Sequence, residues 1–234
     1  MKKVSVALVV TIAALFLHCG SARAYLTTIN PIGGSGSEPS LFNIMDTLYG
    51  VGNYNRVDDS FDQVWLNISG SATAMAKYAS YSQTFGYIPE TDPQFHELFK
   101  VTGSGYLSGF SSSNAKKDKT LTGLFEPGSY SFLFANDPNG AGEPPMWTSQ
   151  QSSNSPGFYD HMVTFSLAGG NYVIAWEDLN LGDYDYNDLV VEVGGVSVSA
   201  VPEPATILLI GSGILGFLGL RRAGARSSKT SAIY

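Results

Sequence analysis

The densest chemistry in the chain lies at Trp176-Glu177-Asp178-Leu179-Asn180-Leu181-Gly182-Asp183-Tyr184-Asp185-Tyr186-Asn187-Asp188-Leu189. Seven acidic or amide side chains fall within twelve residues, and five of them are carboxylates: Glu177, Asp178, Asp183, Asp185 and Asp188. Like charges crowded at a strand end repel unless a cation neutralises them. Ca²⁺ accepts six to eight oxygen ligands in flexible geometry and suits such a set. The alternate spacing of Asp183, Asp185 and Asn187 lets a tight loop aim three oxygens the same way. The expected metal ligands are Glu177, Asp178, Asp183, Asp185, Asn187 and Asp188, with Asn180 and His161 as supporting residues. An EF-hand is excluded, because counting from Asp183 its sixth and twelfth places hold Asp188 and Gly194 rather than Gly and Glu. The competing reading is a solvated acidic hairpin whose side chains cap their own turns.

Such a loop needs strands on either side of it. Met162–Leu167, Tyr172–Trp176 and Leu189–Val193 are the clearest. Ser129–Ala135 places Tyr130, Phe132 and Phe134 on one face. Val64–Ile68, Phe85–Ile88, Phe95–Val101 and Gly105–Phe110 read as shorter strands, and Ala72–Tyr81 leans to strand. Leu41, Ile44, Met45 and Leu48 keep a helical spacing that predicts one short helix ending near Gly50. Residues 25–40 read as a loosely held lead-in, and 111–120 and 136–151 as loops. The sequence predicts an all-β fold, an antiparallel β-sandwich or jelly-roll-like single domain. An N-terminal signal helix and a C-terminal hydrophobic helix would flank it.

The two ends carry sorting information. Lys2 and Lys3 precede an uncharged apolar run, and Ala22-Arg23-Ala24 offers small residues at the −3 and −1 positions of a cut. That order is a secretory signal peptide over 1–24. At the other end Val201-Pro202-Glu203-Pro204 leads into the mostly apolar 205–220, closed by Arg221 and Arg222. The run is short for a span, and the basic cluster would remain cytoplasmic. Residues 201–234 thus read as a transient anchor with a basic tail. Residues 25–200 are the exported domain.

The segment Val201-Pro202-Glu203-Pro204-Ala205-Thr206, with its apolar stretch and Arg pair, resembles the PEP-CTERM sorting signal of Gram-negative bacteria. The resemblance implies cleavage by an exosortase, a membrane-embedded transpeptidase, and a host that makes extracellular polysaccharide. The tail from Ala223 to Tyr234 is longer than such signals usually carry. A second resemblance rests on His161, Gly169-Gly170, Trp176-Glu177-Asp178-Leu179 and Gly182 to Val191. Over about 132–193 the chain is similar to the domain-of-unknown-function family numbered 4114. That implies a β-rich domain and a calcium loop, with no established activity. Leu181 stands where a second Gly is expected, and Tyr184 and Tyr186 where a basic residue and Phe are usual. None of these changes removes an oxygen donor.

Without its signals the chain is strongly acidic. Residues 25–200 hold 6 Lys and Arg against 19 Asp and Glu, a net charge of −13, compared with −7 for the whole chain. A nucleic-acid partner is disfavoured, because it requires a basic face. The single Cys of the chain, Cys19, lies in the signal peptide, so the exported part has neither disulfides nor thiol chemistry. No nucleophile elbow, phosphate loop or His-Glu-x-x-His motif is present. The reading is a calcium-stabilised, non-enzymatic protein of the cell surface or extracellular matrix. Its partners would be signal peptidase, an exosortase-like protease and exopolysaccharide. A carbohydrate-binding module is the alternative, with Trp65, Trp147 and Trp176 as candidate stacking platforms; core packing is the favoured reading of Trp65 and Trp176, and Trp147, in a polar loop, is the best sugar candidate. A secreted glycoside hydrolase, acting through two distant carboxylates, is a further one.

Overall fold

The computed structural model describes residues 26–32, 38–108, 121–138, 146–179 and 182–199. The sequence-predicted signal helix, the hydrophobic helix 205–220, Ala22, Ala24, Pro202, Glu203, Pro204, Arg221, Arg222 and Asn180 lie outside them. Helix α1 spans Leu41–Tyr49. The strands are β1 (Tyr54–Arg56), β2 (Trp65–Lys77), β3 (Gln83–Pro89), β4 (His96–Val101), β5 (Tyr106–Leu107), β6 (Thr122–Leu124), β7 (Tyr130–Asp137), β8 (Trp147–Thr148), β9 (Met162–Leu167), β10 (Tyr172–Trp176) and β11 (Leu189–Val198). A single 3-10 turn covers Gln151–Ser153. The compact unit containing these elements ends at Val198.

Among the described residues the strands form one sheet in the order β1-β9-β10-β11-β2-β7-β3-β4, with β5 and β6 on β2 and β8 on β7. Every pairing is antiparallel. The long β2 is the hinge of the architecture. Its first residues, Trp65 to Asn67, pair with β11 on one side and with β7 on the other. The sheet folds back there, bringing Phe85 of β3 against Trp176 of β10 at 6.4 Å between ring centres. Trp65 meets Tyr172 at 5.1 Å and Phe134 at 5.0 Å, both edge to face. The result is a sandwich closed by aromatic contacts, as the alternating pattern predicts.

Successive residues of β10 point to opposite faces, and both faces are buried. Ile174 and Trp176 enter the aromatic core between the layers. Val173 and Ala175 enter a second core with Val163, Phe165, Val190 and the helix residues Leu41, Ile44 and Met45. That two-sided burial explains why β9, β10 and the start of β11 read as continuous apolar runs. Helix α1 covers the outer face of β9–β11. Ser40 caps its N-terminus by accepting from the Asn43 N–H, and Gly50 ends it at φ 85°. A second positive-φ glycine, Gly195 (φ 66°), sits at an irregularity in the β2–β11 pairing. A Cβ there would meet the Ser69 carbonyl oxygen at 2.3 Å.

Two local expectations change. The loop predicted over 136–151 begins inside β7 and contains β8. The lead-in is tied down: Thr27 donates to Asp59 and Asp160, and Asn30 donates to the carbonyls of Asp183 and Tyr184.

Candidate metal centre

The pairing of Trp176 with Leu189 closes the β10–β11 connection and sets residue 177 beside residue 188. The five predicted carboxylates converge there as two triads that share Glu177. One is Glu177, Asp183 and Asp185; the other is Glu177, Asp178 and Asp188. Within each triad one oxygen per residue lies within 4.8 Å of the others. Left-handed backbone at Tyr184 (φ 61°) and Tyr186 (φ 54°) creates this convergence. Such φ costs an L-residue on the order of 1 kcal/mol. Tyr186 is buried and its hydroxyl donates to the Asp160 carbonyl at 2.7 Å, which anchors the turn.

The ligand residues differ in their surroundings. Asp185 accepts from the Asn187 N–H and from the Asn187 amide at 2.7 Å. The same amide donates to the Pro39 carbonyl at 3.0 Å. Asn187, expected as a ligand through its side-chain oxygen, thus also positions Asp185 through its amide nitrogen. Asp178 accepts from Gln83, which accepts in turn from Asn136, so residues of β3 and β7 hold it from the opposite layer. Asp188 accepts from the Asp178 N–H at 2.7 Å. Asp183 is exposed. Glu177 is 1 % exposed, and its Oε2 has no hydrogen-bond partner among the described residues.

Burial, then Asp183, Asp185 and Asp178, push the Glu177 carboxyl up to about 8. Burial, then Asp178 and Glu177, push Asp188 up to about 9. Asp178 is raised chiefly by burial. A divalent cation among these oxygens reverses that logic by favouring every ionised form. The donor set is all oxygen, the chemistry of a hard cation.

Two residues escaped the sequence reading. Lys77, at the end of β2, is fully buried. Its Nζ donates to the carbonyls of Ala79 and Gly103 at 2.6 Å each. Burial lowers it to about 8 against the pull of Asp178, Asp188 and Glu38. Glu38 is raised by burial and by Asp185, Asp183 and Asp178. The pairing of Ala76 with Val190 carries Lys77 to the acidic loop, and the Asn187–Pro39 bond carries Glu38 there. Lys77 was legible only as a charged residue in a strand that is otherwise small and apolar.

His161 supports the site through the backbone. Its Nδ1 meets the Glu177 carbonyl at 3.1 Å, and the Glu177 N–H donates to the His161 carbonyl. Burial lowers the imidazole to about 4, so it is neutral. Trp147 stacks on it with ring centres 3.7 Å apart and planes 3° from parallel. Trp147 Nε1 also donates to the Asp178 carbonyl at 2.8 Å. Trp147, the best sugar candidate of the sequence, is therefore a core residue, and Trp65 and Trp176 pack in the core as expected. Trp147 is 2 % exposed, and Trp65 and Trp176 are wholly buried. The polar sequence around Trp147 concealed β8, which pairs with β7 and draws the ring inward.

A separate acidic group lies on the other side of Tyr186. Asp59, Asp62 and Asp160 are buried, and Arg56 pairs with Asp59 at 2.5 Å. Burial, then Asp59, push Asp160 up to about 7.

Two family models match the chain. Residues 116–195 match the one described as Domain of unknown function (DUF4114). Residues 200–223 match the PEP-CTERM protein-sorting motif. The chain thus carries a DUF4114 region followed by a PEP-CTERM motif. The DUF4114 match takes in the whole acidic loop together with His161 and Trp147. The PEP-CTERM motif implies export, a C-terminal anchor, exosortase processing and a place at the cell surface. Among the described residues no helix is long and apolar enough to cross a membrane. No curated protein matches the chain. A solved structure with some likeness is the C-terminal domain of BC2L-C lectin from Burkholderia cenocepacia. It is 18 % identical with a TM-score of 0.33, covering 59 % of this chain and 97 % of that one.

Proposed function

We propose that the DUF4114 region is a calcium-stabilised, non-enzymatic module that the PEP-CTERM signal delivers to the cell surface or matrix. The observation that carries this reading is Glu177. A buried carboxylate with an unpartnered oxygen, shared by two carboxylate triads, is costly unless a cation joins it. Ca²⁺ fits best, because the ligands are carboxylates on a loop of irregular backbone and no His or Cys belongs to either triad. Of these ligands Asp183 alone is exposed, which suits an ion held by the fold better than a substrate turned over. The test is thermal unfolding of the full-length chain with and without millimolar Ca²⁺. The melting temperature rises with Ca²⁺ in the wild type, and the rise is largely lost in Asp185→Ala. No shift in the wild type, or an equal shift in the variant, would refute the proposal.

Carbohydrate binding is the second reading, now with a different platform. Tyr184 is 44 % exposed on the acidic loop itself, which sets an aromatic face beside the cation ligands. A glycan array probed with wild type and Tyr184→Ala tests it. A polysaccharide signal that is unchanged by the substitution would remove this reading.

A further inference from the structure

Asp178 is gripped from the opposite layer at two points. Its Oδ2 accepts from Gln83 Nε2 at 2.7 Å, and its main-chain carbonyl accepts from Trp147 Nε1 at 2.8 Å. Behind Gln83, Asn136 Nδ2 donates to Gln83 Oε1 at 2.7 Å. Gln83 lies in β3, Asn136 in β7 and Trp147 in β8, and Asn136 and Trp147 are partners in the β7–β8 ladder. Gln83 and Asn136 are wholly buried. This chain of amides has a direction, and its end sets it. An ionised carboxylate only accepts, so Gln83 turns its NH2 toward Asp178 and its oxygen toward Asn136. Asn136 must then present its own NH2, and its Oδ1 is left with no hydrogen-bond partner among the described residues. A buried acceptor in that state is costly. Two amides are thus aligned for Asp178 rather than for their own satisfaction.

The hold works in both directions. Repulsion within the triad of Glu177, Asp178 and Asp188 pulls Asp178 against the two bonds that cross to β3 and β8. A cation in that triad would remove the repulsion, and the relief would reach the opposite layer through the same bonds. We propose that Gln83, set by Asn136, is a positioning residue of the cation site, and that through it and Trp147 a bound cation fastens β3, β7 and β8 to the β10–β11 loop. The proposal rests on the cation-site reading above.

Amide hydrogen exchange of the full-length chain, with and without millimolar Ca²⁺ under native conditions, tests it. In the wild type Ca²⁺ slows exchange in β3, β7 and β8 by about tenfold more than in β4, because hydrogen bonds to ionised groups are the strong ones. Strand β4 lies in the same layer, beyond β3, and serves as the reference. In Gln83→Leu that excess disappears, and Ca²⁺ affinity measured by calorimetric titration falls by about tenfold or more. Asn136→Asp offers Gln83 an oxygen in place of the NH2, turns the Gln83 amide over and weakens Ca²⁺ binding as well, although residue 136 belongs to neither triad. A wild type whose melting temperature rises with Ca²⁺ but whose exchange slows equally in β4 and β7 overturns the inference and leaves the calcium reading standing. So does a folded Gln83→Leu or Asn136→Asp that binds Ca²⁺ as tightly as the wild type. If neither variant folds, the wild-type comparison decides alone. A wild type with no response to Ca²⁺ removes both the inference and the reading beneath it.

Discussion

Replacing Glu177 by Gln separates a carboxylate kept for a cation from one satisfied inside the protein. Gln preserves size and shape but cannot ionise. In the folded chain burial and three neighbouring carboxylates raise Glu177 from 4.5 to about 8. A raised carboxyl favours the fold at low pH. That contribution is complete below the unfolded value near 4.5 and is lost as pH climbs to about 8. At 1.36 kcal/mol per pH unit, the loss by pH 8 is on the order of 4 kcal/mol. The metal-free Gln variant escapes that loss. At pH 8 in EDTA it should be more stable than the wild type by roughly 2–4 kcal/mol, after relaxation around the site is allowed for. For a domain of this size that is about 5–15 °C in melting temperature. Added Ca²⁺ closes most or all of that gap. At a hundred times its dissociation constant it stabilises the wild type by about 2.7 kcal/mol, while the variant gains little. Scanning calorimetry at pH 5 and pH 8, each with EDTA and with Ca²⁺, supplies all four conditions. A metal-free variant less stable than the wild type at pH 8 would show that protein donors such as the Tyr186 N–H already satisfy the Glu177 carboxylate, and the argument for a cation would fail.

Asp160 titrates for the same kind of reason, burial beside another carboxylate, but belongs to neither triad. It is raised from 3.8 to about 7 by burial and by Asp59, so wild-type stability falls as pH rises through 4 to 7. Asp160→Asn keeps an acceptor for the Met162 N–H and should flatten that part of the stability–pH curve, measured by urea unfolding. An unchanged slope would place the titration elsewhere. Trp147→Ala removes the ring stacked on His161 and should cost about 3–5 kcal/mol, with no loss of polysaccharide binding beyond what unfolding explains. Loss of glycan binding at unchanged stability would restore Trp147 as a platform. Ser40→Ala removes the cap of α1 and should cost about 1 kcal/mol in urea unfolding, with a Ca²⁺ shift equal to that of the wild type. Gly195→Ala drives a Cβ toward the Ser69 carbonyl and should lower the melting temperature more than Ser40→Ala does. An equal or smaller effect would mean that the backbone there yields easily.

Local order along the chain determined a good deal by itself. The sorting motif is readable because it is recognised as a linear sequence. The five carboxylates of the loop are readable because they crowd within twelve residues. The helix at 41–49 and the central strands are readable because periodicity reports burial, whichever partner does the burying. Tertiary structure decided the rest, through pairings between residues far apart in the chain. Antiparallel pairing of β2 with β11 brings Lys77 to the acidic loop across more than a hundred residues. A bond from Asn187 to Pro39 brings Glu38 there as well. The short β8 turns Trp147 from an apparent surface platform into the ring that stacks on His161. Asn187 has the composition of a ligand, and the fold gives it a second task, its amide nitrogen donating to Asp185 and to the Pro39 carbonyl. Composition names the groups able to hold a cation. Only the register of the sheet gathers them into two overlapping triads and sets residues of distant strands around them.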